Sequence, residues 1–179
     1  MHEPEAVLLN GLYGVGKSTL AAELADRLEA AGVHYAALDL DWLGRAWADD
    51  SVEGDDHPTA SPLLLENLAL VVGNLRRRGN DRYVLAGSIA DTDELDLVRA
   101  TLAMPLRVVL VTASMDAIRA RIESFDPTPA RLEDIARSEG WASGVGPNDV
   151  PADLTVSNDG PLDDAATTIL DWLGWVPSA

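Results

Sequence analysis

The sequence has no cysteine, a single phenylalanine and only three histidines. Without cysteine there is neither a disulfide framework nor a thiolate metal site, and nothing in the composition calls for an oxidising compartment. His2, His34 and His57 are scattered and have no metal-ligand spacing. Positive charge is also scarce. Against 30 Asp and Glu stand 13 Lys and Arg, giving a formal net charge of −17. So acidic a surface repels phosphate backbones and anionic lipid heads, which argues against nucleic acid and membrane as partners. The acids are spread along the whole chain, as solubility or adaptation to salt would have them. Charges interrupt every apolar run before membrane-spanning length, and Met1-His2-Glu3-Pro4-Glu5 lacks the basic and apolar blocks of a signal peptide. A cytoplasmic enzyme is the expectation. No internal repeat or low-complexity tract is evident.

What the chain does have is a glycine-rich loop. Residues Gly11 to Ser18 read Gly-Leu-Tyr-Gly-Val-Gly-Lys-Ser and match G-x-x-x-x-G-K-S/T in full. The apolar run Ala6-Val7-Leu8-Leu9 precedes them and Thr19-Leu20-Ala21-Ala22-Glu23-Leu24 follows, the strand and helix that a phosphate cradle needs on either side. Binding a triphosphate takes many backbone N–H donors turned inward, at a curvature that glycine permits, and the next helix adds the positive end of its dipole. Gly11, Gly14, Val15, Gly16, Lys17, Ser18 and Thr19 are therefore the candidate phosphate-binding residues. Lys17 would reach the β- and γ-phosphates, and the Ser18 hydroxyl would ligate Mg²⁺.

The 179 residues suffice for one domain with a proper core. Strand-like and helix-like segments alternate along it. A strand at about 6–10 leads to a helix from Lys17 to about Ala31, stopped by Gly32. The run His34-Tyr35-Ala36-Ala37-Leu38-Asp39-Leu40-Asp41 reads as a second strand ending in two acids, with a helix from Trp42 to Ala48 behind it. An acidic loop, Asp49 to Pro62, precedes a helix over about 63–78 that Gly79 closes. Tyr83 to Gly87 is a third strand, and Asp91 or Thr92 caps a helix to about Ala103. Leu106 to Thr112 is a fourth strand, followed by a helix capped by Ser114. The polar stretch from Ser124 to Pro151 carries one helix at about 130–139. Leu154 to Ser157 is the last strand, and Pro161 opens a terminal helix to about Leu173. Five short apolar strands between helices predict an α/β fold: a parallel five-stranded sheet covered on both faces, with ligands beyond the carboxyl ends of the strands.

Asp39 and Asp41 fall at that edge. Residues two apart on a strand face the same side, so a strand that persists through Asp41 turns both acids toward the site. One would then deprotonate a substrate hydroxyl and the other hold Mg²⁺ or its waters; alternatively one caps the following helix. The third strand ends Ala86-Gly87-Ser88, with no acid where a metal-holding aspartate is usually found, and Asp91 beyond it reads more readily as a helix cap. Arg119 and Arg121 lie on the helix after the fourth strand, where cations can fold over a nucleotide and neutralise charge on a transferring phosphoryl group. Two apart on a helix, they face different directions, so one enters the site and the other is solvated. Arg131 is a further lid candidate. Trp42, Arg45 and Trp47 lie where an acceptor pocket would be built, and aromatic walls suit a small organic substrate.

These features together bear a resemblance: the phosphate loop, Asp39-Leu40-Asp41-Trp42-Leu43, Ile118-Arg119-Ala120-Arg121-Ile122, and Val156-Ser157-Asn158-Asp159-Gly160 before a helix ending near Gly174-Trp175. In their order the chain resembles the small-molecule kinases of the P-loop superfamily, such as adenylylsulfate kinase, gluconate kinase, shikimate kinase and chloramphenicol phosphotransferase. The resemblance implies ATP as donor, Asp41 as base, Arg119 or Arg121 over the adenine or phosphates, and the turn from Asn158 to Pro161 near the adenine; with Asp41 as base, Asp39 is the acid left at the strand end to hold Mg²⁺ beside Ser18. It also implies an acceptor-side region at about 42–62 and a lid-like region at about 119–150. Relatives often carry a further arginine one turn beyond the place of Arg121, where this chain has Ser124-Phe125. The expectation is an ATP- and Mg²⁺-dependent phosphotransferase acting on a hydroxyl of a small molecule. The rival is a nucleotide-binding regulator or slow NTPase without an acceptor. A guanine-reading N/T-K-x-D motif is absent.

Overall fold

Runs of Val, Leu and Ala without an intervening charge form the strands, because a strand covered by helices on both faces needs no polar side. The computed structural model describes residues 3–44, 60–124, 136, 138–144 and 146–176. The strands are β1 (Glu5–Asn10), β2 (Tyr35–Asp39), β3 (Arg82–Ala86), β4 (Leu106–Thr112) and β5 (Leu154–Ser157). All pair in parallel in the order β2-β3-β1-β4-β5.

The helices are α1 (Lys17–Ala30), the short α2 (Leu40–Leu43), α3 (Pro62–Arg76), α4 (Thr92–Leu102), α5 (Met115–Glu123), the helical residues 138–143 as α6, and α7 (Leu162–Leu173). Several begin on side chains able to satisfy the free N–H groups of a first turn. Ser61, Asp91 and Ser114 accept from the backbone N–H of Leu64, Glu94 and Ala117 respectively.

Alternation along the strands divides the core into two layers. Val7, Leu9, Val84, Val109 and Val111 face Leu20, Leu24 and Leu28 of α1, Ile118 and Ile122 of α5 and Ile169 of α7. Ala6, Leu8, Tyr83, Leu85 and Val108 face Leu64, Leu68 and Val72 of α3 and Leu95, Val98 and Leu102 of α4. Each large side chain so buried contributes about 1.5–3 kcal/mol. At the amino ends of the strands, the Glu5 carboxylate accepts from Arg107 Nη2 at 3.1 Å and Trp175 Nε1 at 2.5 Å. The guanidinium of Arg107 also lies over the Trp172 ring, 4.9 Å from its centroid, which ties the last turn of α7 to the sheet.

The chain departs from the sequence expectation at the second strand. β2 stops at Asp39 instead of running through Asp41. The Asp39 side chain accepts the Asp41 N–H at 3.0 Å and so caps α2, which begins at Leu40 and not at Trp42. The two acids therefore do not share one face of a strand. Gly44 ends α2, and the rest of the helix expected to Ala48 lies outside the described residues, as do Arg45, Trp47, His57 and the acidic loop from Asp49 to Thr59. Arg131 and most of the helix expected at about 130–139 lie outside them too. Among the described residues no helix is long and apolar enough to cross a membrane.

Candidate functional site

The carboxyl ends of β1, β2 and β3 are level: Leu9 is in register with Ala86, and Ala86 with Asp39. From β1 the chain enters the glycine loop and then α1. Gly14 and Gly16 have φ of +82° and +96°, a region that a side chain makes costly. A Cβ on Gly14 would stand 2.9 Å from Ile122 Cδ1, and one on Gly16 2.6 Å from Asn158 Nδ2. The loop is thus tightly curved and closely roofed by α5 and by the turn after β5.

Lys17, the only lysine of the chain, opens α1 and is 6% exposed. Its ε-amine donates to the carbonyls of Gly11 and Leu12, both at 2.9 Å. Burial lowers its pKa from 10.5 to about 8, and the charges of Asp41 and Asp39 pull the other way without cancelling that effect. Next to it, Ser18 Oγ donates to Asp39 Oδ2 at 2.6 Å. One carboxylate oxygen of Asp39 thus takes the serine hydroxyl while the other caps α2.

A cavity of about 520 Å³ opens over the loop, lined among others by Tyr13, Gly14, Gly16, Lys17, Ser18, Thr19, Asp41, Arg121 and Asn158. Of the residues singled out in the sequence, these eight from Gly14 to Asn158 are brought together. Gly11 and Val15 stand behind the lining and act through their carbonyls. The Gly11 carbonyl accepts from Lys17 and from Ser88 Oγ at 3.1 Å. The Val15 carbonyl accepts from Arg121 Nη1 at 3.0 Å and Asn158 Nδ2 at 2.8 Å.

Arg119 does not join them. Its guanidinium bonds Glu139 Oε1 at 3.0 and 2.7 Å, at the start of α6, and its side chain is half exposed. Two helical steps separate it from Arg121 by about 200° around the axis, so one arginine meets the loop and the other meets Glu139. Ser88, at the tip of β3 where an acid was missing, has the structural task of holding Gly11. Asp91 caps α4.

Gly160, in the turn expected near the nucleotide, also lines the cavity, as do Tyr13, Ile122, Ser124 and Leu162, which were not foreseen as site residues. Ser138 of α6 donates to the Tyr13 carbonyl at 3.1 Å, a contact across 125 positions that no local pattern announces. Asp159 accepts from the N–H and hydroxyl of Ser114, which lowers its pKa and fastens the turn after β5 to the start of α5. Among the described residues no cluster of three or more His, Asp or Glu side chains forms a metal cage.

A parallel sheet of this strand order, with a glycine loop between β1 and α1 and a lysine buried beneath that loop, is the P-loop α/β fold. A family model described as an AAA domain matches residues 7–124, and the chain belongs to that family. No sequence match to a curated protein reaches significance. Among solved structures, the chain is similar to the APS kinase of Mycobacterium tuberculosis in complex with AMPPNP and APS, at 21% identity and a TM-score of 0.62, over 97% of this chain and 99% of that one. It is also similar to a gluconokinase from Sinorhizobium meliloti, at 17% identity and 0.59, over 97% and 94%. The tunicamycin resistance protein of Deinococcus radiodurans shares 17% identity and a TM-score of 0.62, over 99% and 100%. At such identities the likeness is one of fold.

Proposed function

We propose that the chain is an ATP- and Mg²⁺-dependent phosphotransferase that moves the γ-phosphoryl group to a hydroxyl of a small molecule. One observation carries this assignment: the glycine loop, Lys17, Ser18 and the Asp41 carboxylate line a single cavity. A phosphate cradle beside a carboxylate is what transfer to an alcohol requires, since the chemistry is chiefly positioning and charge stabilisation. The solved APS kinase with AMPPNP and APS offers a precedent in this fold for a nucleotide beside a small acceptor.

Lys17 balances the negative charge of the β- and γ-phosphates, and the backbone N–H groups from Gly14 to Thr19 hold their oxygens. Ser18 Oγ and Asp39 Oδ2, 2.6 Å apart, are two hard oxygen donors of the kind Mg²⁺ takes alongside phosphate and water. When bound there, Mg²⁺ supplies neutralisation of the charge on the transferring group. Asp41, at the rim, accepts the acceptor hydroxyl proton as that oxygen forms its bond to the γ-phosphorus and the bond to the β,γ-bridging oxygen breaks, releasing ADP. Arg121 and the turn from Asn158 stand at the nucleotide side.

The test is ATP consumption by the purified protein with Mg²⁺, alone and with a panel of hydroxyl-bearing metabolites and antibiotics, beside Lys17→Ala and Asp41→Asn. An acceptor that stimulates turnover, with both variants inactive, supports the kinase assignment and names the substrate. A basal hydrolysis that no acceptor raises and Asp41→Asn leaves unchanged refutes it in favour of a nucleotide-binding regulator or slow NTPase.

A further inference from the structure

One peptide of the glycine loop is held from two sides. The Val15 carbonyl receives Asn158 Nδ2 at 2.8 Å and Arg121 Nη1 at 3.0 Å, so both of its lone pairs are engaged. The two donors are themselves joined, because Arg121 Nη2 donates to the Asn158 carbonyl at 2.5 Å. Asn158 is 5% exposed, and its own N–H donates to Thr112 O at 2.8 Å, which anchors the clamp to the end of β4. Neither donor is near Val15 in sequence: they come from 106 and 143 positions away.

No peptide in the described chain is cis. In a planar trans peptide the C=O and the following N–H point in opposite directions. Fixing the Val15 carbonyl on Asn158 and Arg121 therefore fixes the Gly16 N–H on the side of the peptide opposite those two groups. The need for such a restraint follows from the glycine itself. Gly16 holds φ +96° because it has no Cβ, and for the same reason the Val15–Gly16 peptide can rotate at little steric cost. A donor free to turn must be ordered whenever an anion binds, whereas a donor already aimed binds without that entropic loss.

We infer that Asn158 and Arg121 are positioning residues that act through the Val15 carbonyl, aiming the Gly16 N–H into the phosphate cradle. The inference rests on the triphosphate-binding part of the proposed function. It gives Arg121 a task other than meeting the transferring phosphoryl group directly, since two of its nitrogens are committed to backbone carbonyls. It also gives the turn after β5 a link to the phosphates that does not pass through the nucleotide base.

The probe is inorganic tripolyphosphate, which has the phosphates and no base. Its affinity is measured by calorimetry for the wild-type protein and for Asn158→Ala, Arg121→Met and Arg121→Lys. The Gly16 amide is followed by NMR in each, and the remaining amide signals report that the variant is folded. Asn158→Ala and Arg121→Met are each expected to bind tripolyphosphate about tenfold more weakly, the scale of one hydrogen bond to a charged group. The Gly16 signal should broaden or shift in the free variants. Arg121→Lys keeps the charge but has no planar fork to reach both carbonyls, so it is expected to lose as much as Arg121→Met. Restoration of wild-type affinity by lysine means that Arg121 acts on phosphate by charge, and overturns the inference. So does a tripolyphosphate affinity within about twofold of wild type in Asn158→Ala with an unmoved Gly16 signal. If the wild-type protein does not bind tripolyphosphate, the nucleotide assignment itself fails and takes the inference with it.

Discussion

Replacing Lys17 by methionine should make stability less dependent on alkaline pH, and the size of that change follows from the burial of one ammonium group. Lys17 is 6% exposed and has a pKa of about 8 against 10.5 for an ordinary lysine. The difference of about 2.5 units corresponds to about 3 kcal/mol at 1.36 kcal/mol per unit. The sign follows from proton binding. Between pH 8 and 10.5 the unfolded chain holds this proton more tightly than the folded one, so stability rises with pH across that window. Below about pH 8 the full cost of burying the charge is present; above 10.5 both states are neutral and it is gone. Methionine carries no charge and has no such cost, although it removes the lysine donor from the carbonyls of Gly11 and Leu12 at every pH. The pH-dependent part of the difference between the two proteins is therefore the lysine's own. About 2.5 kcal/mol of this falls between pH 7 and pH 10, so at roughly 2–4 °C per kcal/mol for a chain of this size the gap in Tm should change by roughly 5–10 °C over that range. Because the chain has a single lysine, labelled lysine gives one NMR signal whose titration reads the pKa directly. A midpoint at pH 10 or above, or a Tm gap that stays constant from pH 7 to 10, would refute the reasoning.

Three further outcomes are expected. Triphosphate should raise the Lys17 pKa, so affinity for a non-hydrolysable ATP analogue should fall about tenfold per pH unit above 8, with proton uptake in calorimetry across buffers of different ionisation enthalpy; a flat profile up to pH 9.5 contradicts this. Ser18→Ala removes the hydroxyl that meets Asp39, and the gain in nucleotide affinity on adding Mg²⁺ should shrink about tenfold while metal-free affinity stays near wild type; titrations with and without EDTA decide it. Glu5→Gln takes the negative charge from Arg107 and weakens the acceptor of Trp175, at a cost of about 2 kcal/mol or roughly 4–8 °C in Tm, without altering nucleotide affinity. A melt indistinguishable from wild type would show that this cluster does not fasten the carboxyl-terminal segment.

Local chemistry alone settled several features. The glycine loop, the strands without interrupting charge and the caps at Asp91 and Ser114 all depend on neighbours within a few residues, so they are legible in order along the chain. The end of β2 stays open in the sequence for a local reason as well. An aspartate two residues before another can continue a strand or cap a helix, and only the observed bond from the Asp41 N–H to the Asp39 side chain separates the two. Sequence spacing implied that Arg119 and Arg121 point apart, but not which of them meets the loop. That was decided by the seat of α5, where Ile118 and Ile122 enter the core and turn Arg121 toward Val15.

Tertiary structure alone decided the rest. The strand order places β4 beside β1 and β5 beyond β4, which carries Asn158 to a residue 143 positions earlier, and packing, not charge pattern, determines how deeply Lys17 is buried. A residue's type states which bonds it can make, and is written in the chain. Which partner it meets, and how dry the meeting place is, depends on distances closed only when the sheet and its two helical layers assemble.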